Sequence, residues 1–545
     1  MFSKVFKLHY TLKFLRFEQI FYRLFYKFKK VSVAHVDSRV EIKCWQWAGP
    51  RIYKQSLFEN NKVRFLSMDG SIDSASSWNC DSKEKLWLYN LHYFDDLNSS
   101  SYSERSELQA SFLDRWIGEN PPSFGNGWEP YPLSLRIVNL IKWLSCQSAV
   151  KQHWLGSLMQ QASALSQKIE YHILGNHLFS NAKALTFLGC FIDGDEAEKY
   201  LELGLKLLDR EIPEQFLADG AHFELSPMYH CILLWDLLEL IDLTETSQNP
   251  KLLTRLDEWK AVAEKSLSWL NTMTHPDGEV SFFNDSAIGI AAKPNQIFFY
   301  AEKLKIDWNS ELAILSMNIE SGYSRLSYSD YSLIFDHANV GPDYLPGHAH
   351  ADTLSFELSI GKQRVFVNSG TSLYGTSAER LRQRKTPAHN TVSVSDYDSS
   401  QVWSGFRVAK RAYAKLVKAT SDENKVQLIA SHNGYMQQGP KVIHTRGLDC
   451  TQDSIIVSDV LSSPVQARFH LHLHPDVNAI ILSEKELKIM KDGEVLCLIV
   501  SAQQMTIKDS TWHPEFGKSI ANKKIEIDFT NGCLRTEIIQ IKREP

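Results

Sequence analysis

Two periods of hydrophobicity divide the chain. From about Leu108 to Leu304 apolar residues recur three and four positions apart, as in Leu133, Ile137, Leu140, Ile141 and Leu144, in Leu201, Leu205 and Leu208, and in Ile232, Leu234, Leu237, Leu238 and Ile241. That spacing gathers them on one face of successive helices. Turn-rich strings, ENPPSFGNG and IDGDE, separate the helices, which are therefore expected to pack as antiparallel hairpins. No fixed-length repeat is visible, which argues against a TPR or HEAT solenoid.

Past Gly322 the period drops to two. Leu354, Phe356 and Leu358, then Val365 and Val367, then Phe469, Leu471 and Leu473 alternate with other residues, and TVSVS, SIIVSDV, AIIL, VLCLIV and KIEIDF add further β-rich runs. Many short strands at close spacing predict an antiparallel sandwich and not a parallel sheet. Helices first and strands second predict separate all-α and all-β domains, with the change near residues 310 to 325. A length of 545 residues exceeds one ordinary core and supports the division. The expected order is a lead-in over residues 1–80, a helical domain over 81–315 and a β-sandwich over 316–545.

The first thirty residues hold eight Lys and Arg against Glu18 alone, and these break up the apolar residues every two to four positions. That is not the core of a signal peptide. It suits an amphipathic helix lying on an anionic membrane, or equally a helix docked on the protein's own body. No run approaches the roughly 18 apolar residues of a spanning helix. The cytoplasm or the membrane periphery is the expected location, with the periplasm left open. A formal net charge of -5 and a pI near 6.5 offer no basic face for phosphates, so nucleic acid is not an expected partner. The eight cysteines are scattered without a CxxC pair, and buried thiols are expected.

The densest polar strings are GNHLFSNAKAL (Gly175 to Leu185), DGAHFELSPMYH (Asp219 to His230), PGHAHAD (Pro346 to Asp352) and TPAHNTV (Thr386 to Val392). WLYNLHYFDDL (Trp87 to Leu97), WEPYPLSLRI (Trp128 to Ile137) and HPDGEVSFFND (His275 to Asp285) accompany them. In this order, across a switch from helix to strand, the seven strings resemble the heparinase II/III superfamily of polysaccharide lyases over roughly residues 80 to 480. The N-terminal region and WLYNLHYFD look closest to members associated with bacterial surface-polysaccharide gene clusters. The resemblance implies an incomplete α/α toroid followed by an antiparallel β-sandwich, and a β-elimination at a uronic acid in an acidic polysaccharide. No organic cofactor is implied, and the oligomeric state is left open.

Elimination removes a proton beside an ionised carboxylate, so donors must neutralise the charge that grows there. The resemblance gives this role to the Asn176 amide and His177, acid or base work to Tyr229, and assistance to the base to His348. It also implies that Arg136 and Glu224 orient partners or hold acid groups. Trp128 and Tyr131 are candidates to stack on sugar rings, and His230 and Arg384 are counted with the substrate contacts. Each has a plain structural alternative: Asn176 as a helix cap, Tyr229 as a core aromatic with a satisfied hydroxyl, Arg136 and Glu224 as an ion pair, the two tryptophan and tyrosine rings as packing, and the histidines as hydrogen-bonded structural residues.

His350 and His389 match ligands of a divalent ion, zinc or calcium, in metal-bearing members. Asn368 stands where those members have an aspartate, which removes the stronger oxygen donor; Asp352 is a substitute, and a metal-free hydrogen-bonded cluster is the competing reading. His470, His472 and His474 share one strand face in HLHLHP, as a polar face or as metal ligands. Two other functions remain open: a non-catalytic saccharide-binding or assembly protein for capsule, O-antigen or exopolysaccharide, and a glycoside hydrolase using Asp219 with Glu224 or Asp277 with Glu279.

Overall fold

The computed structural model describes residues 2–36, 39–328 and 330–541; Met1 and residues 542–545, the extremes of the expected first and last domains, lie outside them. Two helices, α1 (Phe2–Leu12) and α2 (Phe17–Phe28), lead into a small sheet of Leu57–Phe58, Lys62–Phe65 and Met68–Ser71. Then come α3 (Lys85–Tyr93), α4 (Ser106–Glu119), α5 (Pro130–Leu144), α6 (Gln152–Gln167), α7 (Gly175–Phe191), α8 (Asp195–Gln215), α9 (Pro227–Ser247), the single turn α10 (Pro250–Leu253), α11 (Leu256–Thr272) and α12 (Pro294–Lys303). The three periodic stretches read from the sequence fall in α5, α8 and α9.

Burial sorts these helices into two layers. Almost every residue of α5, α7 and α9 is buried, whereas α4, α6, α8 and α11 bury one stripe and expose the other. A helix that is apolar all round must lie inside, and an amphipathic one covers it. Inner and outer helices alternate along the chain, so the domain is an incomplete α/α toroid whose inner helices run in the same direction. Their N-termini, at Pro130, Gly175 and Pro227, open at one end.

Four charged side chains in this layer meet out of water. Lys183 of α7 donates to Asp236 and Glu239 of α9, and Lys142 of α5 also donates to Glu239. Burial alone raises the Glu239 carboxyl, but the two ammonium groups outweigh it and hold the group at about 2. Its stabilising contribution is therefore complete above the ordinary glutamate range and is lost as pH falls toward that value.

The strands of the second domain begin at Leu315. A five-stranded sheet (Leu315–Asn318, Tyr323–Ser327, Tyr331–Asp336, Phe356–Ile360, Gln363–Phe366) meets a four-stranded one (Met505–Trp512, Ile520–Phe529, Ala467–His472, Val392–Val394) through a bridge between Phe366 and Leu473. Across a shared apolar core lies an eight-stranded sheet that begins at Ala414–Ser421, and every paired strand is antiparallel to its neighbour. One short helix, α13 (Ala378–Arg384), interrupts this sandwich. Toroid and sandwich share an interface of Leu225, Trp269 and Phe283 against Tyr323, Ile334 and Ala338. Hydrogen bonds fix it: Tyr323 Oη donates to Leu225 O at 3.0 Å, and His275 lies 2.9 Å from Glu357.

The expectation of buried thiols needs correction, and the metal alternative for HLHLHP is not met. Cys44 and Cys533 are exposed, and of the eight free thiols Cys190, Cys231, Cys450 and Cys497 are the buried ones. The imidazoles of HLHLHP do not gather: His470 pairs with Ser393 Oγ at 2.9 Å, His472 with Pro387 O at 2.9 Å, and His474 packs on Trp512.

Replacing Lys183 with methionine strands Asp236 with no ammonium partner and leaves Glu239 with one. The expected cost is about 3–5 kcal/mol, read as a lowered midpoint in chemical denaturation; an unchanged midpoint would show that the network does not hold the inner layer.

Candidate active site

Four side chains singled out in the sequence sit on the first turns of the inner helices: Tyr131 on α5, Asn176 and His177 on α7, and Tyr229 on α9. The convergence follows from the parallel inner layer, since helices running the same way present their starts at the same end. Unpaired N–H groups and the positive end of the helix dipole collect there, which favours a negatively charged ligand.

Left-handed backbone sets the entry to two of these turns. Leu174 has φ 69° just before Gly175, and Leu225 has φ 57° just after Glu224; Asn284, before Asp285, has φ 56°. For leucine this conformation costs about 1–3 kcal/mol and persists only where the surroundings over-determine it. Gly175 itself has φ 57°, and a Cβ there would lie 2.7 Å from Glu224 Oε1, so that position is closed to any side chain.

Asn176 does not cap its helix. Its amide donates to the Tyr131 hydroxyl at 3.5 Å, and the Tyr131 ring stacks on His177 with centroids 4.2 Å apart. His177 Nδ1 lies 3.0 Å from Glu170 Oε1, while Asn181 donates to the other Glu170 oxygen at 3.0 Å. Burial opposes charge on His177, but the Glu170 carboxylate outweighs it and raises the imidazole above its ordinary range.

Tyr229 follows the Ser226 cap, whose hydroxyl accepts the Tyr229 N–H at 3.3 Å. Its ring lies on His348 with centroids 4.0 Å apart, and its hydroxyl meets the Tyr374 hydroxyl at 2.9 Å. Burial, then Tyr374, push the phenol well above the ordinary tyrosine range, so it is held protonated.

His348 arrives from the sandwich domain. Its Nδ1 lies 2.9 Å from Asp285 Oδ2, and its Nε2 lies 3.8 Å from Glu224 Oε2. A carboxylate at Nδ1 fixes the tautomer that leaves the Nε2 lone pair available. Glu224 lies between the α7 start and His348; its Oε1 is buried without a hydrogen-bond partner, and burial raises the carboxyl.

Asp285 holds this arrangement together. It is fully buried, and its carboxylate receives both terminal nitrogens of Arg380, Oδ2 at 2.6 Å, together with His350 Nε2 at 2.9 Å and Thr371 Oγ1 at 3.2 Å. Although burial works the other way, Arg380 and the histidines keep the carboxyl well below its usual range. Asp285, Glu170, Tyr374 and Arg380 were not named from the sequence. Asp285 closes HPDGEVSFFND, which was the one signal available.

Four candidates do not face this space. Arg136 is fully buried, with donors committed to Gln161 at 2.9 Å, His92 O at 2.8 Å and Gly127 O at 2.7 Å. Arg384 donates to Ala349 O at 2.8 Å and Gly405 O at 3.0 Å. Trp128 stacks on Trp116 and donates to Asn120 O. His230 accepts the His222 N–H, faces Ser266 O at 3.0 Å, and is lowered by burial to about 3. All four serve the packing of loops and helices. Three of the four carboxylates weighed for hydrolysis are committed to other partners: Asp219 accepts from Ser321, Asp277 is held by Arg364, and Glu279 pairs with Lys293.

His350 and His389 lie with ring centroids 5.2 Å apart, and three of their four nitrogens, His350 Nδ1 and both on His389, are buried without partners. Two neutral imidazoles suit a metal, but the rest of the set is missing. Asn368 Oδ1 accepts from Asn390 N at 3.1 Å and its amide faces Ser355, while Asp352 accepts the Asn284 N–H at 2.9 Å. Among the described residues no three His, Cys, Asp or Glu gather to hold an ion. The residues present do not fit a zinc or calcium site, which needs more ligands than two imidazoles.

Fold and site together define a toroid-and-sandwich protein with a histidine, tyrosine and amide cleft at the seam. The family profile described as "Heparinase II/III N-terminus" matches residues 13–305, and "Heparinase II/III-like, C-terminal" matches residues 316–540. The chain belongs to the heparinase II/III-like family. A heparin-sulfate lyase from Bacteroides thetaiotaomicron is 26% identical over 373 residues, covering 59% of this chain and 51% of that protein. One from Bacteroides stercoris is 22% identical over 351 residues, covering 59% and 49%. The chain thus spans about half the length of the curated relatives it matches. In fold, the crystal structure of heparinase III superposes with a TM-score of 0.70 at 18% identity, covering 96% of this chain and 89% of the other. The heparan sulfate lyase of Pedobacter heparinus gives 0.60 at 17%, covering 97% and 88%.

Asp285→Asn leaves the buried Arg380 without its counter-charge. A loss of about 3–5 kcal/mol in unfolding free energy is expected; a loss below about 1 kcal/mol would mean that Arg380 finds compensation elsewhere.

Proposed function

We propose that the protein is a polysaccharide lyase that cleaves an acidic, uronate-containing polymer by β-elimination. One observation carries this reading. The starts of three inner helices bring an amide, an imidazole and a phenol to the same cleft, where the sandwich adds His348 with its Nδ1 on Asp285. The heparin-sulfate lyases among the relatives support the same class of substrate.

The substrate carboxylate takes the Asn176 amide and protonated His177, under the positive ends of the inner helices. As the proton leaves the carbon α to that carboxylate, charge moves onto its oxygens, where these donors already stand. His348 Nε2 accepts the proton, and Asp285 stabilises the resulting imidazolium, as the carboxylate does in a nucleophile–base–acid triad. The new C=C bond forms as the bond from the β carbon to the glycosidic oxygen breaks. Tyr229, kept protonated by burial, gives its proton to that oxygen. His348 and Tyr229 share one ring stack, so both proton transfers occur on one side of the sugar.

Mixing the protein with uronate polymers is expected to raise ultraviolet absorbance through the unsaturated product. Tyr229→Phe should lower kcat about 10²–10⁴-fold with the fold intact by circular dichroism. Binding without an absorbance rise would replace this reading with a saccharide-binding protein, and a saturated product would replace it with a hydrolase.

The second expectation concerns pH. His177 must be charged, and its raised pKa means that the charge is lost as pH rises through that value. Glu170→Gln removes the principal raising influence, so the alkaline limb of kcat/KM should move to lower pH. An unmoved limb would take His177 out of carboxylate neutralisation.

A further inference from the structure

The N-terminal helices leave an apolar face uncovered. On α2 one face meets the body of the protein: Gln19 is buried and donates to Tyr344 O at 3.2 Å, Tyr22 packs on Tyr171 with centroids 4.5 Å apart, and Tyr26 donates to Ile169 O at 2.6 Å. The opposite face carries Phe17, Ile20, Phe21, Leu24, Phe25 and Phe28, all exposed. Phe17 and Phe28 are 81% and 84% exposed, as open as side chains can be on an ordered helix. Stacking links Phe17 to Phe21 at 6.0 Å and Phe21 to Phe25 at 5.8 Å, forming a continuous ladder. The usual pattern is inverted, with the more polar face turned inward and the apolar face outward. Contiguous exposed apolar surface of this kind marks a contact with something outside the chain.

Charge selects the occupant. Lys and Arg number eight in the first thirty residues against one Glu, in a chain whose net charge is -5. Arg16 is committed to Glu214 and Glu18 to Arg210, while Arg23, Lys27, Lys29 and Lys30 stand exposed beside the phenylalanine ladder. Aromatic side chains flanked by Lys and Arg match the boundary between the acyl chains and headgroups of an anionic bilayer. We propose that α1 and α2 form a docking surface for an anionic lipid bilayer, with the α2 phenylalanine ladder as the inserted face.

The placement of the pair gives docking a consequence for the cleft. On the sandwich side, α1 is held by Trp403 Nε1 to Thr11 Oγ1 at 3.1 Å, and the connection after it by Arg411 over the Phe14 ring at 3.9 Å, while α2 sits on the toroid. Its contacts Tyr171 and Tyr344 neighbour Glu170 and the loop that carries His348. A bilayer at this face therefore lies against the seam where the two domains meet.

The test uses the full chain in sedimentation with vesicles of phosphatidylcholine alone and of phosphatidylcholine with about one third phosphatidylglycerol. The protein is expected to sediment with the anionic vesicles and to leave them at high salt. Phe17→Ser with Phe21→Ser and Phe28→Ser should lower partitioning about 100-fold or more, since each ring contributes about tenfold or more on leaving water. Lys27→Gln with Lys29→Gln and Lys30→Gln should lower it at least about tenfold on anionic vesicles and leave the weak binding to neutral ones unchanged. These lysines are exposed, so the second set remains decisive should the serine set misfold. No sedimentation of the unaltered protein with anionic vesicles overturns the proposal. So does a dimer, seen by light scattering, that the serine set converts to monomer without any vesicle binding, because the face is then an interface between copies.

Discussion

The buried carboxylate of Asp285 ties the two halves of the molecule together at the site. It is supplied by the segment between α11 and α12, and its partners Arg380, His350, Thr371 and His348 all belong to the sandwich. A charge out of water is tolerated only when paired and fully hydrogen-bonded, and Asp285 meets both conditions only when the domains are docked. The same contact that satisfies the carboxylate also orients His348. Domain docking and the orientation of His348 are therefore one event, and the apolar interface of Leu225, Trp269 and Phe283 against Tyr323 and Ile334 provides the surface burial that holds it.

Around this anchor the inner helices act as a rigid frame. Lys142, Lys183, Asp236 and Glu239 lock α5, α7 and α9 to one another away from their first turns. The strained residues Leu174, Leu225 and Asn284 each sit one or two positions from a residue of the cleft or its anchor. Strain at these points is sustained by the packing on either side, which is the arrangement expected where geometry matters more than local stability.

The order of the domains was legible in the chain because period four and period two do not overlap, and the toroid and sandwich implied by the family resemblance are the observed fold. Motif reading also placed Asn176, His177, Tyr229 and His348 where the cleft is. It misplaced others for a geometric reason. Arg136 lies five residues beyond Tyr131 on the same helix, a spacing that turns it off the Tyr131 face, and His230 is one residue, about 100°, from Tyr229. Tyr374 and Arg380 escaped notice because their importance lies in contacts across long sequence separations, which no local pattern encodes; Glu170 lies only seven residues before its partner His177 but outside the quoted strings. The uncovered ladder on α2 was half visible: the mixture of aromatic and basic residues was plain, but which face turned outward was not.

The inner-helix starts also bear on how a protein of net negative charge would hold the anionic polymer proposed for it. The positive potential there comes from oriented peptide groups and fades within about one helical turn. A potential of that range acts on contact and does not steer a polyanion from a distance. A polymer held there would be gripped by short-range dipoles, and its retention would depend less on ionic strength than binding to exposed charges does.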